Sequence, residues 1–394
     1  PHPLDGEVIV PAEKLPALRI GSIKSAQERA GAVFRTQGDW HLATAFPAAD
    51  EEEGAAAERE ALAVRSGAGL GDISLLGKID VQGPDAAAFL ARLFGEGWAE
   101  LPVGRLRHGI LSREEGQALA GVLVWRLAPH HYCLTTAAPS QAVVLSRLQE
   151  GASEEERIAV TDITDGWGAV ALEGPAAPAI LAGSFPALAQ ESSLPAMGFV
   201  TFEQDELPLR LARLSLSGGA GYEIMTPAGY TDILWNLLRE KGKSRGLIPV
   251  GTRARNILRI EAGHIGPAEM IAGATAAGLG IGSTSSPDHK KEKQLVGLKP
   301  VSGAEEGKDI ARLNAGMTLY EGDGTPPGGP GIGTVTSACH SPTLGHDIAL
   351  ALLTEGRART GTLIRAVGEG GKPVIDVKVG PPRHLDLQKE RADA

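Results

Sequence analysis

The segment Gly77–Phe94, GKIDVQGPDAAAFLARLF, combines two patterns that meet at Gly83 and Pro84. Polar and apolar residues alternate at its start, which predicts a β-strand with one buried face. Apolar residues then recur at helical spacing, and Pro84 suits the first turn of a helix, where a missing N–H leaves no hydrogen bond unmade. The segment therefore predicts a strand, a Gly-Pro turn and a helix in direct succession.

The same order of patterns returns in Trp167–Gly183, WGAVALEGPAAPAILAG, with Gly174 and Pro175 at the turn. Two such units with matching flanks indicate an internally duplicated core of strands and helices, which predicts the α+β class. Farther along, the sequence changes to short β-like runs separated by Gly and Pro, such as GIGTVTSA, DIALALL and PVIDVKV. These runs predict a small C-terminal β-barrel or sandwich.

The composition excludes several classes of protein. The chain has 394 residues, of which 42% are hydrophobic, and a formal net charge of −10, so a nucleic-acid partner is not expected. No apolar run approaches the ~20 residues that span a membrane, and no basic-then-apolar leader predicts secretion. Cys133 and Cys339 lie far apart without CxxC neighbours, and we expect them to be reduced thiols of a cytoplasmic protein. The chain starts PHPLDG without a Met, so we expect a processed start or the C-terminal part of a longer polypeptide.

Familiar catalytic motifs are not supported by their surroundings. The stretch Gly67–Asp72, GAGLGD, is spaced like a dinucleotide fingerprint, but it precedes a predicted strand where a Rossmann loop must follow one. The histidines lack the spacings of a metal site, and we expect none. His340 beside Ser341 has no nucleophile elbow around it. From composition and spacing alone, the chain is an enzyme-like α+β protein with a β-rich C-terminal domain.

Four stretches together resemble the folate-binding aminomethyltransferase family, the glycine-cleavage T-protein and its relatives. They are RSGAGLGDISLLGKIDVQGPDAAAFL, SLSGGAGYEIMTP, GLIPVGTRARNILRIEAG and IGTVTSACHSPTLGHDIALALL. Their order fits the family over about residues 61–379. The preceding ERAGAVFRTQGDWHLATAFP is similar to the region before this module in the α subunit of heterotetrameric sarcosine oxidase and in dimethylglycine-type dehydrogenases.

The resemblance implies a three-domain cloverleaf with tetrahydrofolate in a central hole. It divides the chain into an irregular lead-in, residues 1–55, a folate-binding core, residues 56–290, a C-terminal β-barrel domain, residues 291–385, and a tail, residues 386–394. It also implies FAD on a partner domain or flavoprotein oxidase subunit, which turns an N-methyl amine into an iminium. Tetrahydrofolate then takes up the one-carbon unit as 5,10-methylenetetrahydrofolate, and without folate the iminium hydrolyses to formaldehyde.

The same resemblance supplies the candidate cofactor-binding residues. Glu223 stands where the family places a carboxylate that accepts the adjacent N–H and NH₂ donors of the pterin ring, although a strand residue of this kind can also face solvent. Arg255 matches a folate-contacting arginine, the alternative being a surface helix position paired with Glu261. Tyr222 and Thr135 complete the predicted set.

The sequence departs from the family where the catalytic acid is expected. Relatives follow the turn REEG with an acidic pair that includes an Asp near the reacting nitrogens, and this chain has Ala120 and Gly121 there. Glu115, inside the turn, is a weak candidate for the missing group. Gly219 replaces a frequent Glu, and the segment over residues 272–294 is short. We therefore expect a chain that binds folate but transfers the methylene unit poorly.

Three hypotheses remain at this point. The first is an active one-carbon module of sarcosine-oxidase type. The second is a catalytically degenerate folate-binding or structural subunit of an amine oxidase or dehydrogenase complex. The third is a folate-dependent tRNA-modification factor of the same superfamily, against which stand the acidic charge and the absence of a cysteine from AGHIGPAEM.

Overall fold

The computed structural model describes residues 19–113, 116–186, 188, 194–271, 273–281, 292–301, 312–322 and 330–385. These residues form a small N-terminal sheet, two larger core sheets and a closed C-terminal barrel. Among them, no helix is long and apolar enough to cross a membrane. The α+β class with a duplicated core and a C-terminal β-barrel is confirmed.

The lead-in is ordered where the structure describes it, so the expectation of an irregular segment is wrong there. Residues 19–45 hold β1 (Arg19–Ile20), helix α1 (Lys24–Arg29), β2 (Val33–Gln37) and β3 (Trp40–Ala45), with the strands in the order β1-β3-β2. The acidic stretch Asp50–Glu53 then leads into helix α2 (Glu53–Ser66). One of its acids, Glu60, is fully buried and accepts hydrogen bonds from the backbone N–H groups of Phe46 (2.6 Å) and Gly251 (2.8 Å).

The first core sheet is built around the opening segment. Its strands lie in the order β6-β7-β8-β5-β9, and helices α3 and α4 cover one face. The elements are β5 (Gly77–Gln82), α3 (Ala86–Phe94), β6 (Leu106–Ser112), β7 (Ala118–Ala128), β8 (His131–Thr136), α4 (Gln141–Gly151) and β9 (Ala159–Asp162).

The second core sheet repeats this plan with β4, β10 to β14 and helices α5 and α6. Its order is β11-β12-β13-β10-β4-β14. The elements are β4 (Ala68–Asp72), β10 (Trp167–Glu173), α5 (Ala177–Ser184), β11 (Phe199–Gln204), β12 (Leu207–Ala212), β13 (Gly221–Pro227), α6 (Thr231–Gly242) and β14 (Leu247–Val250). Helices α7 (Thr252–Ala262) and α8 (Ala276–Leu279) follow.

Both predicted Gly-Pro turns are present, and their glycines are required by geometry. Gly83 and Gly174 have φ values of 136° and 114°, which L-residues with a Cβ rarely adopt. A Cβ at Gly83 would lie 1.9 Å from the Arg157 carbonyl oxygen, and one at Gly174 would lie 2.5 Å from the Gly67 carbonyl oxygen. The turns are therefore tight, and another residue there would push chain segments apart.

The two repeats exchange a strand. β4 comes just before β5 in the chain, yet it pairs antiparallel with β10 of the second sheet. β9 comes just before β10, yet it pairs antiparallel with β5 of the first sheet. Each sheet thus contains a strand from the other repeat, which ties the two halves of the core together.

The two sheets pack through their inner faces, away from the helices. One cluster joins Leu123, Trp125 and Cys133 of the first sheet to Ala171 and Met225 of the second. On the second sheet, the residues of this face around Glu223 are small: Ala171, Ala212 and Gly71.

The barrel consists of six strands in the closed order β15-β18-β17-β16-β19-β20. They are β15 (Lys293–Pro300), β16 (Thr318–Glu321), β17 (Gly333–Ser341), β18 (His346–Thr354), β19 (Leu363–Val367) and β20 (Val374–Gly380). The barrel and the two core sheets correspond to the three bodies of the expected cloverleaf.

Buried carboxylates join the barrel to helix α7. Glu269 accepts hydrogen bonds from Arg259 Nη1 (2.9 Å) and from the hydroxyls of Thr336 (2.9 Å) and Ser337 (2.6 Å). Its fourth donor is the backbone N–H of Gly266, at 2.7 Å. The barrel motif GTVTS, residues 333–337, therefore links the barrel to the segment after helix α7.

The neighbouring Glu261 has a similar role. It accepts hydrogen bonds from Arg65 Nε (3.0 Å) and from the Ser341 hydroxyl (2.6 Å), and its side chain is fully buried. Helix α7 is thus held to helix α2 on one side and to the end of β17 on the other.

Candidate functional site

Glu223 lies on the inner face of the second sheet, with small residues on both neighbouring strands. Its register partners are Ala171 on β10 and Ala212 on β12, and Gly71 of β4 lies beyond Ala171. The side chain is half-buried, and within the described residues its carboxylate has no hydrogen-bond partner. A carboxylate that is partly desolvated and unpaired costs free energy, which marks Glu223 as a candidate ligand-binding group.

The electrostatic surroundings of Glu223 support this interpretation. The pKa of its carboxyl is raised from 4.5 to about 7, mainly by burial and to a smaller extent by the nearby charge of Glu173. The cations of Arg255 and Lys78 act in the opposite direction. A ligand that donates hydrogen bonds to the ionised carboxylate would relieve the desolvation.

Arg255 lies in the same region, bound to a different partner from the one considered from the sequence. Its Nη1 donates to Glu173 Oε2 at 2.9 Å, and both side chains are nearly buried. The alternative pairing with Glu261 is wrong, because Glu261 bonds to Arg65 and Ser341. The Arg255 side chain crosses so close to β4 that a Cβ on Gly71 would lie 2.8 Å from its Cδ.

Glu173, which the sequence interpretation missed, holds this arginine in place. Its Oε1 accepts the backbone N–H groups of Leu216 (2.7 Å) and Ser217 (2.9 Å), while Oε2 accepts Arg255. The signal in the sequence was a carboxylate that ends an otherwise apolar strand, directly before a Gly-Pro turn. Because Glu173 is saturated, it orients Arg255 and has few lone pairs left for a ligand.

The first sheet contributes Thr135 and Lys78 from its own inner face. The two residues are register partners on β8 and β5, and both are buried. The Thr135 hydroxyl accepts a hydrogen bond from Trp125 Nε1 at 3.2 Å. Lys78 Nζ donates to the carbonyl oxygens of Ser74 (2.9 Å) and Leu76 (2.8 Å), and burial lowers the pKa of this amine to about 8.

Tyr222 and Glu115 differ from the other predicted site residues. Tyr222 follows the strand alternation and points away from Glu223, toward the helix-covered core of the second sheet, and its role in folate binding stays a prediction. Burial raises the pKa of the Tyr222 hydroxyl. Glu115, the weak catalytic candidate, lies outside the described residues. The roles of Glu223, Arg255 and Thr135 in folate binding remain predictions.

The structure separates the two residues at the expected acid position. Ala120 is fully buried in the helix-covered core of the first sheet, while Gly121 faces the other way. A Cβ on Gly121 would lie 3.3 Å from the Met270 methyl group. The Thr136 hydroxyl donates to the Gly121 carbonyl at 2.8 Å, which fixes the backbone there. Only position 121 therefore points to the side from which a ligand could be reached.

Comparison with known proteins matches both parts of the chain to one family. The GCVT N-terminal domain matches residues 23–285, and the glycine cleavage T-protein C-terminal barrel domain matches residues 293–384. With its duplicated core and six-stranded barrel, this chain belongs to the glycine-cleavage T-protein family of folate-binding aminomethyltransferases.

Individual relatives fall into two groups. The chain is 33% identical to the sarcosine oxidase subunit alpha of Rhizobium meliloti over 92% of its own length, but it spans only 38% of that subunit. It is 34% identical to an aminomethyltransferase of Streptomyces avermitilis, covering 77% of this chain and 82% of that protein. Aminomethyltransferase T from Bartonella henselae has a similar structure, with a TM-score of 0.77 and 25% identity over 94% of this chain and 98% of that one.

Proposed function

We propose that this chain binds tetrahydrofolate between its two core sheets and passes a methylene group to it from an iminium, giving 5,10-methylenetetrahydrofolate. The observation that carries the proposal is the unpaired carboxylate of Glu223, whose flanking residues are Ala171 and Ala212. A pterin offers adjacent N–H and NH₂ donors, and one ionised carboxylate accepts both.

The residues of the site fit this ligand. The Gly and Ala residues around Glu223 leave room for a flat ring, and its raised pKa records the desolvation that a donor pair would relieve. Arg255, fixed by Glu173, supplies a positive charge beside the carboxylate. When bound, folate supplies two amine nitrogens that take up the one-carbon unit, and the protein contributes binding, orientation and exclusion of water.

The iminium source is also part of the proposal. The relatives include proteins named sarcosine oxidase subunit alpha, which favours an N-methyl amine oxidised by an FAD-bearing domain or subunit elsewhere. This chain spans 38% of the Rhizobium meliloti subunit, so the remaining length leaves room for such a domain there. A cytoplasmic location is part of the same proposal, supported by the two free cysteines, Cys133 and Cys339.

A second candidate function is favoured by one observation. The inner-face residue at the expected acid position is Gly121, and Ala120 points into the core. Without a group that accepts and donates protons, the module would bind folate while its partner released formaldehyde. This alternative is the catalytically degenerate folate-binding or structural subunit.

Folate binding is tested by titrating the protein with tetrahydrofolate in a calorimeter. Glu223→Gln replaces a two-acceptor carboxylate with an amide that accepts at one end only, and we expect about ten- to a hundredfold weaker binding, or roughly 1.5–3 kcal/mol. The matched control is Glu203→Gln, at an exposed position on β11, which should bind like the unmodified protein. Equal affinities for all three proteins would remove Glu223 from the site.

The choice between the two functions is tested by adding the iminium directly. Formaldehyde and glycine form it in solution, and a coupled dehydrogenase reports 5,10-methylenetetrahydrofolate. An active module should form this product faster than the uncatalysed reaction at the same concentrations. A protein that binds folate without any acceleration would be the degenerate subunit.

A further inference from the structure

A histidine occupies the face of the first sheet next to Gly121. On β6, the inner-face residues are Leu106, His108 and Ile110. Leu106 packs in the cluster between the two sheets, and Ile110 packs in the cluster at the barrel. His108 lies between the two clusters, and its side chain is exposed although its neighbours are buried. Solvent, and therefore a ligand, can reach it on the inner face of the sheet.

The strand register places His108 close to the position of the missing acid. Ile110 is the direct partner of Gly121, and His108 is the partner of Leu123. His108 and Gly121 are thus diagonal neighbours on one sheet face, about 7–8 Å apart along the backbone and within reach of a long side chain. Arg107, the adjacent residue, points to the other face and donates to the Gly97 carbonyl at 2.8 Å.

The segment that follows helix α7 lies against the same sheet face at Gly121. Met270 from this segment lies against Gly121. His264 is fixed at its start, because its N–H donates to the Arg259 carbonyl (3.0 Å) and its carbonyl accepts Arg259 Nη1 (2.8 Å). The preceding Gly263 has a φ of 73° and packs against Pro382, which sets the direction of the turn.

The pKa values of both imidazoles are lowered, which favours their neutral forms. Desolvation by the surrounding protein lowers the pKa of His108 and of His264, and the charge of His108 lowers the pKa of His264 further. Arg383 and Arg259 act in the same direction on His264, and Glu173 opposes them. Within the described residues, no ring nitrogen of either histidine has a hydrogen-bond partner. Each therefore keeps a free lone pair at neutral pH.

We propose that His108 takes the place of the absent β7 carboxylate as the proton acceptor and donor in methylene transfer. The proposal rests on the function proposed above and deepens it. Both bonds of the iminium C=N break as two new C–N bonds form at the one-carbon unit, and each of the two attacking amine nitrogens releases one proton. His108 accepts each proton in turn and passes it to the departing amine. That amine takes both protons and leaves as an ammonium, which carries the positive charge of the iminium, so the imidazole ends neutral.

The test compares His108→Gln with a control, His346→Gln, at an exposed barrel position. Glutamine keeps hydrogen-bonding groups but cannot carry a proton. Tetrahydrofolate affinity should change less than about threefold, because Glu223 is untouched. Single-turnover formation of 5,10-methylenetetrahydrofolate from formaldehyde and glycine should fall by roughly 10²-fold, the lower end of general acid–base contributions. The control should match the unmodified protein in both.

A rescue experiment separates a chemical role from a structural one. Gly121→Asp places a carboxylate on the same sheet face. In the His108→Gln background, this substitution should raise the single-turnover rate at least tenfold. Ala120→Asp points into the core and should restore nothing. His264→Gln should lower the rate less than His108→Gln and shift the pH at which the rate falls, since it removes the neighbouring imidazole.

A spectroscopic readout does not depend on turnover. In ¹⁵N-histidine-labelled protein, the His108 ring should titrate below the usual pH of a free histidine, and its nitrogen shifts should move when tetrahydrofolate binds. Equal rates and pH profiles in His108→Gln and unmodified protein would overturn the proposal. Failure of the unmodified protein to bind tetrahydrofolate would instead overturn the proposed function.

Discussion

Two buried regions of this protein hold carboxylates, and they differ in how those carboxylates are satisfied. At the junction with the barrel, Glu269 is fully buried and accepts four hydrogen bonds, from Arg259, Gly266, Thr336 and Ser337. Between the core sheets, Glu223 is half-buried with no hydrogen-bond partner among the described residues. The hydrogen bonds of Glu269 are therefore made within the protein, whereas the Glu223 carboxylate can still accept hydrogen bonds from a ligand.

This difference in hydrogen bonding distinguishes a structural carboxylate from a candidate binding group. A buried carboxylate whose lone pairs are all used contributes to stability and resists a ligand. A carboxylate that has lost water without gaining partners has a raised pKa and a free energy that only a ligand recovers. The barrel motif GTVTS is structural, while the short strand GYEIMTP holds the candidate binding group.

The largest expected effect is on stability and comes from removing the hydrogen-bonded carboxylate of Glu269. Glu269→Ala leaves the Arg259 guanidinium and two hydroxyls buried without their acceptor, and we expect about 3–5 kcal/mol of lost stability. Glu223→Ala, the matched substitution in the unsaturated region, removes no hydrogen bond to the described residues and should leave stability unchanged or higher. Chemical denaturation of both variants measures this. Equal losses would mean that the two carboxylates do not differ as the contacts indicate.

A second prediction uses the pH dependence of stability. The Glu223 carboxyl has a pKa of about 7 in the folded chain against an ordinary value of about 4.5, so the folded state holds this proton more tightly than the unfolded state. The free energy of unfolding therefore declines as the pH rises from 4.5 to 7, and this contribution of Glu223 is fully lost above pH 7. Glu223→Gln should be more stable than the unmodified protein by about 1–3 kcal/mol at pH 8, with no difference at pH 4.5. Denaturation midpoints that differ equally at both values would contradict the assigned pKa.

The smallest expected effect concerns folate affinity. Only the ionised Glu223 accepts both pterin donors, so binding must release a proton below pH 7. Tetrahydrofolate should bind about tenfold more weakly at pH 6 than at pH 8. In Glu223→Gln the affinity should not follow this pH dependence. Calorimetric titrations at both pH values compare the two proteins, and the same pH dependence in both would assign the proton to another group.

Much of the fold was predictable from the sequence because it depends on local rules. The alternation in Gly77–Gln82 and Trp167–Glu173, with a Gly-Pro turn after each, predicts two strand–turn–helix units, and both are present. The short β-like runs separated by Gly and Pro likewise predict the barrel. Alternation also puts Tyr222 and Glu223 on opposite faces, although the resemblance to the family grouped them together.

The site was only partly predictable. Strand period and motif placed Glu223 correctly on a strand after a glycine turn, but they did not show that its neighbours on both strands are alanines. They also gave no reason to connect His108 with Gly121, since that relation depends on the register of β6 and β7. Glu115 lies outside the described residues, so its role stays a prediction.

The sequence by itself determined the two strand–turn–helix units of the core and the strands of the barrel, because these follow from periodicity and backbone preference over a few residues. Only the tertiary structure decided that β4 and β9 exchange sheets, and that Arg255 binds Glu173, 82 positions away, in place of the nearby Glu261. The physical reason is that hydrogen-bond saturation and desolvation are properties of a point in space. Segments distant in the chain supply the donors and exclude the water there, and their presence at Glu269 and absence at Glu223 separate a structural carboxylate from a candidate binding one.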